Sequence, residues 1–272
     1  MPMITYPFSH FAKTVTFLAR QAFLNATVFR GNTFFALFSD LLFVFLSIEV
    51  WQALYASKET SLVTESQLIT YVVLARLLPN VMMEFVDTVQ QRILSGEIAS
   101  ELLRPIRFSV YLLGLEIGRY GHRFLLQVLP IALLIHGLIG INLPTSGLYM
   151  ALFVISLVFS FLLMFYINYI ISLLAFWYTQ VFSINTIKNQ TVRFLSGIYV
   201  PLWFFPEWAV PIVQSLPFAS IVYIPMQIYL QTCTLPQAVA YLGLQWFWTI
   251  CMIVLAHWIW SRAVKQISIN GG

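Results

Sequence analysis

Between Phe124 and Ile187 the sequence contains no Asp, Glu, Lys or Arg. The rest of the chain follows the same trend, since only 9% of all residues are charged and 60% are hydrophobic. Soluble proteins carry about 25% charged residues, so water cannot be the solvent for most of this surface. Lipid forces a chain to satisfy its backbone polar groups internally, and the apolar segments have helical length. The sequence therefore predicts an all-α integral membrane protein.

Six apolar segments are predicted to cross the membrane, within a transmembrane domain that covers 33–262. They lie at about 33–56, 67–91, 123–140, 147–177, 190–205 and 236–260. The motif I-N-L-P-T-S-G at 141–147 divides the uncharged run into the third and fourth spans. Before the sixth span, a proline-rich apolar stretch at 206–230 predicts short re-entrant helices on the outer side, which protein must cover because lipid cannot satisfy irregular backbone.

Residues 1–32 are predicted to form a cytoplasmic segment that contains an interfacial helix at 8–28. Apolar residues repeat there at helical spacing, and Lys13 and Arg20 mark another face. This helix either has a role beyond membrane attachment or only anchors the chain at the membrane surface. A second amphipathic stretch, 108–123, precedes the third span, and its Gly114 and Gly118 are spaced for close helix approach.

The basic residues predict the orientation. With six spans, both termini and the tail at 263–272 are cytoplasmic, and every Lys and Arg except Lys58 and Arg76 falls on the cytoplasmic side. This distribution agrees with the positive-inside rule. It places the segment between the second and third spans in the cytoplasm.

That segment, R-I-L-S-G-E-I-A-S-E-L-L-R-P-I-R at 92–107, predicts a short amphipathic helix. Ser95 is a usable N-cap, and Pro105 ends the helix because the residue before a proline leaves the helical region. Glu97, Glu101 and Arg104 are predicted on one face, and Leu94, Ile98 and Leu102 on another. The helix is too short and charged to span a bilayer, so it lies on the membrane surface or docks onto a partner.

Ionisable residues inside spans are costly and are candidates for function. Glu49 and Arg76 have similar predicted depths and are expected to pair, either to lock the first two spans together or to line a polar pathway. Further candidates for a polar pathway, or for contact with headgroups, are Asp40, Asn80, Glu84 and Asp87.

Motifs for chemistry within the chain are absent. The sequence has no G-x-x-x-x-G-K-[ST], no H-E-x-x-H, no G-x-S-x-G, and no Cys/His cluster with metal-ligand spacing. We therefore expect no enzymatic activity, bound cofactor or metal in this chain, and no nucleic-acid partner.

Three segments resemble the membrane subunits of ABC-2 type bacterial ABC exporters. They are G-E-I-A-S-E-L-L-R-P-I (96–106), G-I-Y-V-P-L-W-F-F-P-E-W (197–208) and P-F-A-S-I-V-Y-I-P (217–225). The resemblance implies a permease of the bacterial inner membrane that assembles with a second permease subunit, alike or different, and with two separate ABC ATPase subunits. ATP and Mg²⁺ would be bound by the ATPases, and an unidentified substrate would cross between the two permeases, which membrane lipid surrounds.

By the same resemblance, 96–104 would be the coupling helix in a cleft of the ATPase, and 8–28 the connecting helix. The residues expected to take part in coupling are Ser95, Gly96, Glu97, Ile98, Glu101, Leu102, Leu103, Arg104 and Pro105. Two alternatives remain from the residues themselves. One is an ion-coupled carrier that uses the intramembrane carboxylates, although no inverted repeat is apparent. The other is a membrane scaffold without transport.

Overall fold

The computed structural model describes residues 8–28, 30–56, 63–80, 85–103 and 105–270. The fold is 82% helical, and these residues contain no strand. The first half of the chain forms α1 (Phe8–Val28), α2 (Arg30–Ala56), α3 (Glu65–Asn80), α4 (Val86–Leu94), α5 (Glu97–Leu102), α6 (Phe108–Arg123) and α7 (Leu129–Leu138). The second half forms α8 (Gly147–Leu173), α9 (Phe182–Leu195), α10 (Ala209–Ser215), α11 (Tyr223–Tyr229) and α12 (Leu235–Asn270). All-α architecture is confirmed.

Four helical segments among the described residues are long and apolar enough to cross a membrane. They are Thr33–Ala56, Phe108–Leu138, Gly147–Phe176 and Leu235–Gln266. They cover the first and sixth predicted spans and all but the last one or two residues of the third and fourth. Their outer faces are apolar; Phe35 of α2, for example, is 71% exposed, and Val254 of α12 is also exposed. Such faces suit lipid or another membrane subunit rather than water.

The predicted amphipathic stretch 108–123 and the third predicted span form one continuous helical segment instead of two elements. A π-helical turn, Phe124–Val128, joins α6 to α7. Pro130 lies in the first turn of α7, where it cannot donate a backbone hydrogen bond. Wider turns of this kind absorb such an interruption without ending the helix.

The second and fifth predicted spans differ from the observed helices. The second is divided: α3 ends at Asn80, just after Pro79, and α4 begins at Val86. Near the fifth, α9 covers Phe182–Leu195, and a 3-10 turn follows at Leu202–Phe204. Neither is among the four long apolar helices, and 81–84 lie outside the described residues.

At the centre of the fold lies α3. Every residue from 68 to 79 is buried except Arg76, which is half-buried. The helix packs against α2, α11 and the π-helical turn, and the Tyr71 hydroxyl donates a 3.0 Å hydrogen bond to the carbonyl of Gly197. The part of the second predicted span that lies in α3 is therefore covered by protein, which suits Arg76 because lipid cannot solvate a charged group.

The N-terminal helix packs along α6 through two glycines. A Cβ built on Gly118 would overlap the carbonyl oxygen of Ala19 and lie 2.8 Å from the carbonyl carbon. A Cβ on Gly114 would lie 2.9 Å from the Cβ of Leu18. The close approach predicted for these glycines is confirmed, and its partner is α1.

Short helices do follow the fifth predicted span. Seven-residue helices α10 and α11 occupy the stretch predicted to be re-entrant, and every residue of α11 is buried. α11 packs against α8, α3 and α12. Protein therefore covers α11, as the backbone polar groups of a short helix require in a membrane, whereas α10 is exposed or half-buried, with Val213 as its buried residue.

Candidate functional site

The segment predicted to couple to a partner forms a hairpin of two short helices, α4 and α5, here called the α4–α5 hairpin (residues 86–103). Gly96 makes the turn with φ of 77°, in the left-handed region that glycine adopts at low cost. Gly96 is also the N-cap of α5, whereas Ser95 is the C-cap of α4. The prediction of Ser95 as the N-cap is wrong, because only the left-handed residue can reverse the chain so sharply.

An ion pair closes the hairpin. Arg92 Nη1 lies 2.6 Å from Glu101 Oε1, and the Glu101 side chain is almost fully buried. Glu97, by contrast, is exposed. The predicted shared face of Glu97 and Glu101 is therefore divided, because Glu101 turns back onto α4. Arg104, the third member of that face, lies outside the described residues.

The inner face of the hairpin rests on aromatic side chains. Ile98 is buried in a cluster with Phe85, Val89, Phe108 and Leu112, and Leu102 packs against it. The aromatic members of this group, here called the aromatic cluster, are Phe85, Phe108, Phe165, Tyr169 and Trp260. They come from the hairpin region, α6, α8 and α12. A displacement of the hairpin would therefore press on three of the long helices.

The outer face of the hairpin is exposed. Leu103 is 86% exposed. Around it the exposed residues are Leu94, Ser95, Gly96, Glu97, Ala99, Ser100 and Pro105. A small protrusion with an exposed leucine and one acidic side chain is suited to a groove on another protein.

The structure does not bring Glu49 and Arg76 together. No ion pair joins them in the described part of the chain, and the Arg76 guanidinium lies 4.9 Å from the centre of the Phe43 ring. The reason is the register between α2 and α3. Gln52 Nε2 donates to Glu65 Oε1. In antiparallel helices this contact places Arg76 opposite residues near 43, more than a helical turn from Glu49.

The other polar candidates lie at different places. Asp40 is half-buried and is the carboxylate whose charge acts on Arg76. Asp87 is exposed in the first turn of α4, and its charge acts on Lys188 of α9. The side chain of Asn80 and all of Glu84 lie outside the described residues.

A buried lysine that we did not single out from the sequence lies next to Asp87. Lys188, just before the predicted fifth span, donates a hydrogen bond to the buried Asn168 of α8. The charges that act on Lys188 are those of Asp87 and Arg193, which have opposite signs. The signal in the sequence was the basic charge of Lys188, from which we placed it on the cytoplasmic side.

A second polar group missed from the sequence joins α8, α12 and the segment before α11. Gln245 Nε2 donates to the carbonyl of Ser220 at 2.7 Å, and Gln245 Oε1 accepts from Ser156 Oγ at 2.9 Å. Ser160 Oγ donates to the same Ser220 carbonyl. All four residues are fully buried.

We expect Gln245→Leu to lower the free energy of unfolding by about 1–2 kcal/mol, since interhelical hydrogen bonds in membranes have values of this order. The measurement is thermal unfolding in detergent. Gln127→Leu is the matched control, because Gln127 is half-buried in a long apolar helix and has no side-chain hydrogen bond to described residues. Equal melting temperatures for the two variants would contradict a stabilising role for Gln245.

No group of three or more His, Cys, Asp or Glu residues suited to a metal ion occurs in the described ranges. The described structure thus contains the exposed α4–α5 hairpin, the buried helix α3 and four long apolar helices. A family model described as ABC-2 family transporter protein matches residues 36–271. The chain belongs to the ABC-2 transporter family. No curated protein and no solved structure matches it significantly.

As an ABC-2 family member, the chain is the membrane component of an ABC transporter, a kind of component that is generally non-catalytic. Members of this family associate with ABC ATPases. The matched region begins within α2 and ends in α12, so it contains the hairpin, α3 and all the buried polar groups described above.

Proposed function

We propose that this chain is the permease subunit of an ATP-driven exporter in the bacterial inner membrane. It would form the substrate pathway with a second permease subunit, identical or homologous, and two ABC ATPase subunits would bind ATP and Mg²⁺. The observation that carries this proposal is the α4–α5 hairpin. It is exposed on its outer face, is held by the Arg92–Glu101 ion pair and packs against several long helices, so a separate ATPase that bound it could move those helices. Membership in the ABC-2 family supports the same role.

In this proposal the chain crosses the membrane six times, with both termini in the cytoplasm. Four crossings correspond to the long apolar helices. The second would consist of α3 and α4, and the fifth of α9 and the segment up to residue 205. The partly exposed helix α10 and the buried helix α11 would lie on the outer side as re-entrant elements. The basic residues Arg92 and Arg107, which flank α5, favour the cytoplasmic side for the hairpin.

The hairpin would act as a lever. ATP binding would draw the two ATPases together and shift the docked α5. Because α5 is held to α4 by the Arg92–Glu101 ion pair and rests on the aromatic cluster, the shift would reach α6, α8 and α12. These helices would then change between inward- and outward-facing packings.

Leu103→Asp is expected to weaken association with the ABC ATPase at least tenfold. Burying a leucine contributes about 1.5–3 kcal/mol, and a charge in its place adds a desolvation cost. The tagged full-length chain would be purified from the membranes of its own host, and ABC ATPase subunits that copurify with it would be quantified by mass spectrometry.

The matched control is Leu143→Asp. Leu143 is another strongly exposed leucine, in the loop between α7 and α8, and we place it on the opposite side of the membrane. It should retain the ATPase. If Leu103→Asp retains the ATPase as well, or if the wild-type chain never copurifies with it, the proposed coupling role is wrong.

A further inference from the structure

Three basic side chains on α3 and α9 interact through their charges. They are Arg76 of α3 and Lys188 and Arg193 of α9. The charge of Arg193 acts on both of the others, and the hydrogen bond from Tyr71 of α3 to the carbonyl of Gly197 joins α3 to the segment just after α9.

Among the carboxylates that the structure describes, that of Asp40 acts on Arg76 and that of Asp87 on Lys188, which partly offsets the positive charge of the three basic side chains. Three like charges are costly where Lys188 is buried and Arg76 half-buried, unless something else compensates them.

The donors of these side chains are largely unused. Lys188 has three ammonium donors, and the hydrogen bond to Asn168 occupies one of them. The Nε atom of Arg76 is buried and has no hydrogen-bond partner. Arg193 makes no side-chain hydrogen bond or ion pair with the residues that the structure describes. Because Lys188 is only 9% exposed, water cannot fully replace a partner there.

The surrounding face of α9 is also built as a polar site. Asn185 and Asn189 share a face with Lys188 at helical spacing, and the amide oxygens of both are buried without a hydrogen-bond partner. Asn185 itself is buried. A buried acceptor without a partner costs about 1–3 kcal/mol, so water or ligand hydroxyl groups are needed to complete this site.

The outward face of α9 is mixed in character. The exposed residues there are Phe182, Ser183, Thr186, Ile187, Gln190 and Phe194. The large apolar side chains among them suit lipid or another membrane subunit. The Phe43 ring against Arg76 adds an apolar wall to the cationic centre.

We propose that Arg76, Lys188 and Arg193 bind the anionic group, a phosphate or a carboxylate, of the molecule that this permease transports. The guanidinium group of arginine can donate two parallel hydrogen bonds to a planar carboxylate or a tetrahedral phosphate, and such charge-assisted hydrogen bonds are strong. Naming the ligand as the transported molecule rests on the proposed function; the anion site itself does not. The ligand class is an anionic compound, either an amphiphile with a charged headgroup or a small soluble anion.

Arg193→Gln tests this site on the full-length chain in detergent. Phosphatidylglycerol is expected to raise the melting temperature of the wild-type protein above the value in phosphatidylcholine. Arg193→Gln should weaken this effect about tenfold to a hundredfold in lipid concentration, the factor that one charge-assisted hydrogen bond contributes. Its melting temperature without anionic lipid should be equal or higher, because a like charge has been removed next to Arg76 and Lys188.

Arg20→Gln is the matched control, because it removes the same charge from an exposed position on α1. It should keep the full response. Inorganic phosphate, compared with chloride at equal ionic strength, identifies the source: a shift with phosphate indicates a soluble anion, and a shift with phosphatidylglycerol alone indicates a headgroup. Lys188→Met is a second variant with the same expected loss, and it applies if Arg193→Gln fails to fold.

The proposal is overturned if the wild-type protein responds equally to all these additions, or if Arg193→Gln and Lys188→Met keep the full response. ATPase copurification is measured on the same preparations. A wild-type protein that retains the ATPase but shows no anion response contradicts the anion site and leaves the permease role intact. An anion response without any associated ATPase contradicts the permease role and leaves the site intact.

Discussion

Gly118→Ala is expected to lower the free energy of unfolding by about 1–3 kcal/mol, and to loosen α1 from α6. The added methyl group would overlap the backbone carbonyl of Ala19, and backbone cannot move aside as a flexible side chain can. The helices must therefore separate along their whole contact, which also includes Gly114 against Leu18. Thermal unfolding in detergent measures the loss of stability, and protease susceptibility of α1 measures its release.

Gly137→Ala is the matched control for this substitution. Gly137 is also helical, in α7, and a Cβ there would have nothing within 4 Å. Alanine favours helix over glycine by about 1 kcal/mol, so this variant should be as stable as the wild-type protein or slightly more stable. If Gly118→Ala behaves in the same way, the close packing of α1 on α6 is not present in the folded protein.

Glu101→Ala is expected to open the α4–α5 hairpin, and this is the second large effect. It leaves Arg92 half-buried without its partner, which costs about 2–3 kcal/mol after allowance for the partial exposure of Arg92. The cost is local, because only a few residues depend on this pair. Amide hydrogen exchange across α5 should accelerate at least tenfold, and ATP hydrolysis by the assembled complex should lose its dependence on transport.

Glu116→Ala provides the comparison. Glu116 also contacts an arginine at 2.6 Å, but Arg119 lies three residues away on the same helix. Pairs of this kind contribute about 0.2–0.5 kcal/mol, so exchange across α6 should change little. The exchanged pair Arg92→Glu with Glu101→Arg should restore slow exchange in α5. Fast exchange in this double variant, or slow exchange in Glu101→Ala, would contradict a bracing role.

Much of the fold follows from hydropathy alone. Three of the four long apolar helices begin within one residue of a predicted span, because lipid requires each crossing to be long and continuously apolar, whereas Phe108–Leu138 begins 15 residues before its predicted span. The spacing of Gly114 and Gly118 predicted close packing for a similarly local reason. It did not identify α1 as the partner, because the spacing of two small residues predicts that another helix packs closely but does not predict which one.

The polar contacts were harder to predict because they depend on register. Glu49 and Arg76 were predicted to pair because their depths, counted in residues from the predicted span ends, are similar. The Gln52–Glu65 contact shows that α2 and α3 pack in a different register, which places Arg76 more than one helical turn from Glu49. Glu101 was expected on an exposed face, but the turn at Gly96 folds it against Arg92. Lys188 was assigned to the cytoplasm by its charge, whereas tertiary packing buries it against Asn168.

The burial of α3 by neighbouring helices determines how the protein should respond to bilayer thickness. With 16 residues, α3 is about 24 Å long, shorter than a typical hydrocarbon core of about 30 Å. It avoids hydrophobic mismatch because its neighbours, rather than acyl chains, surround it. Thinner or thicker membranes would therefore tilt the peripheral helices and leave α3 in an almost constant environment.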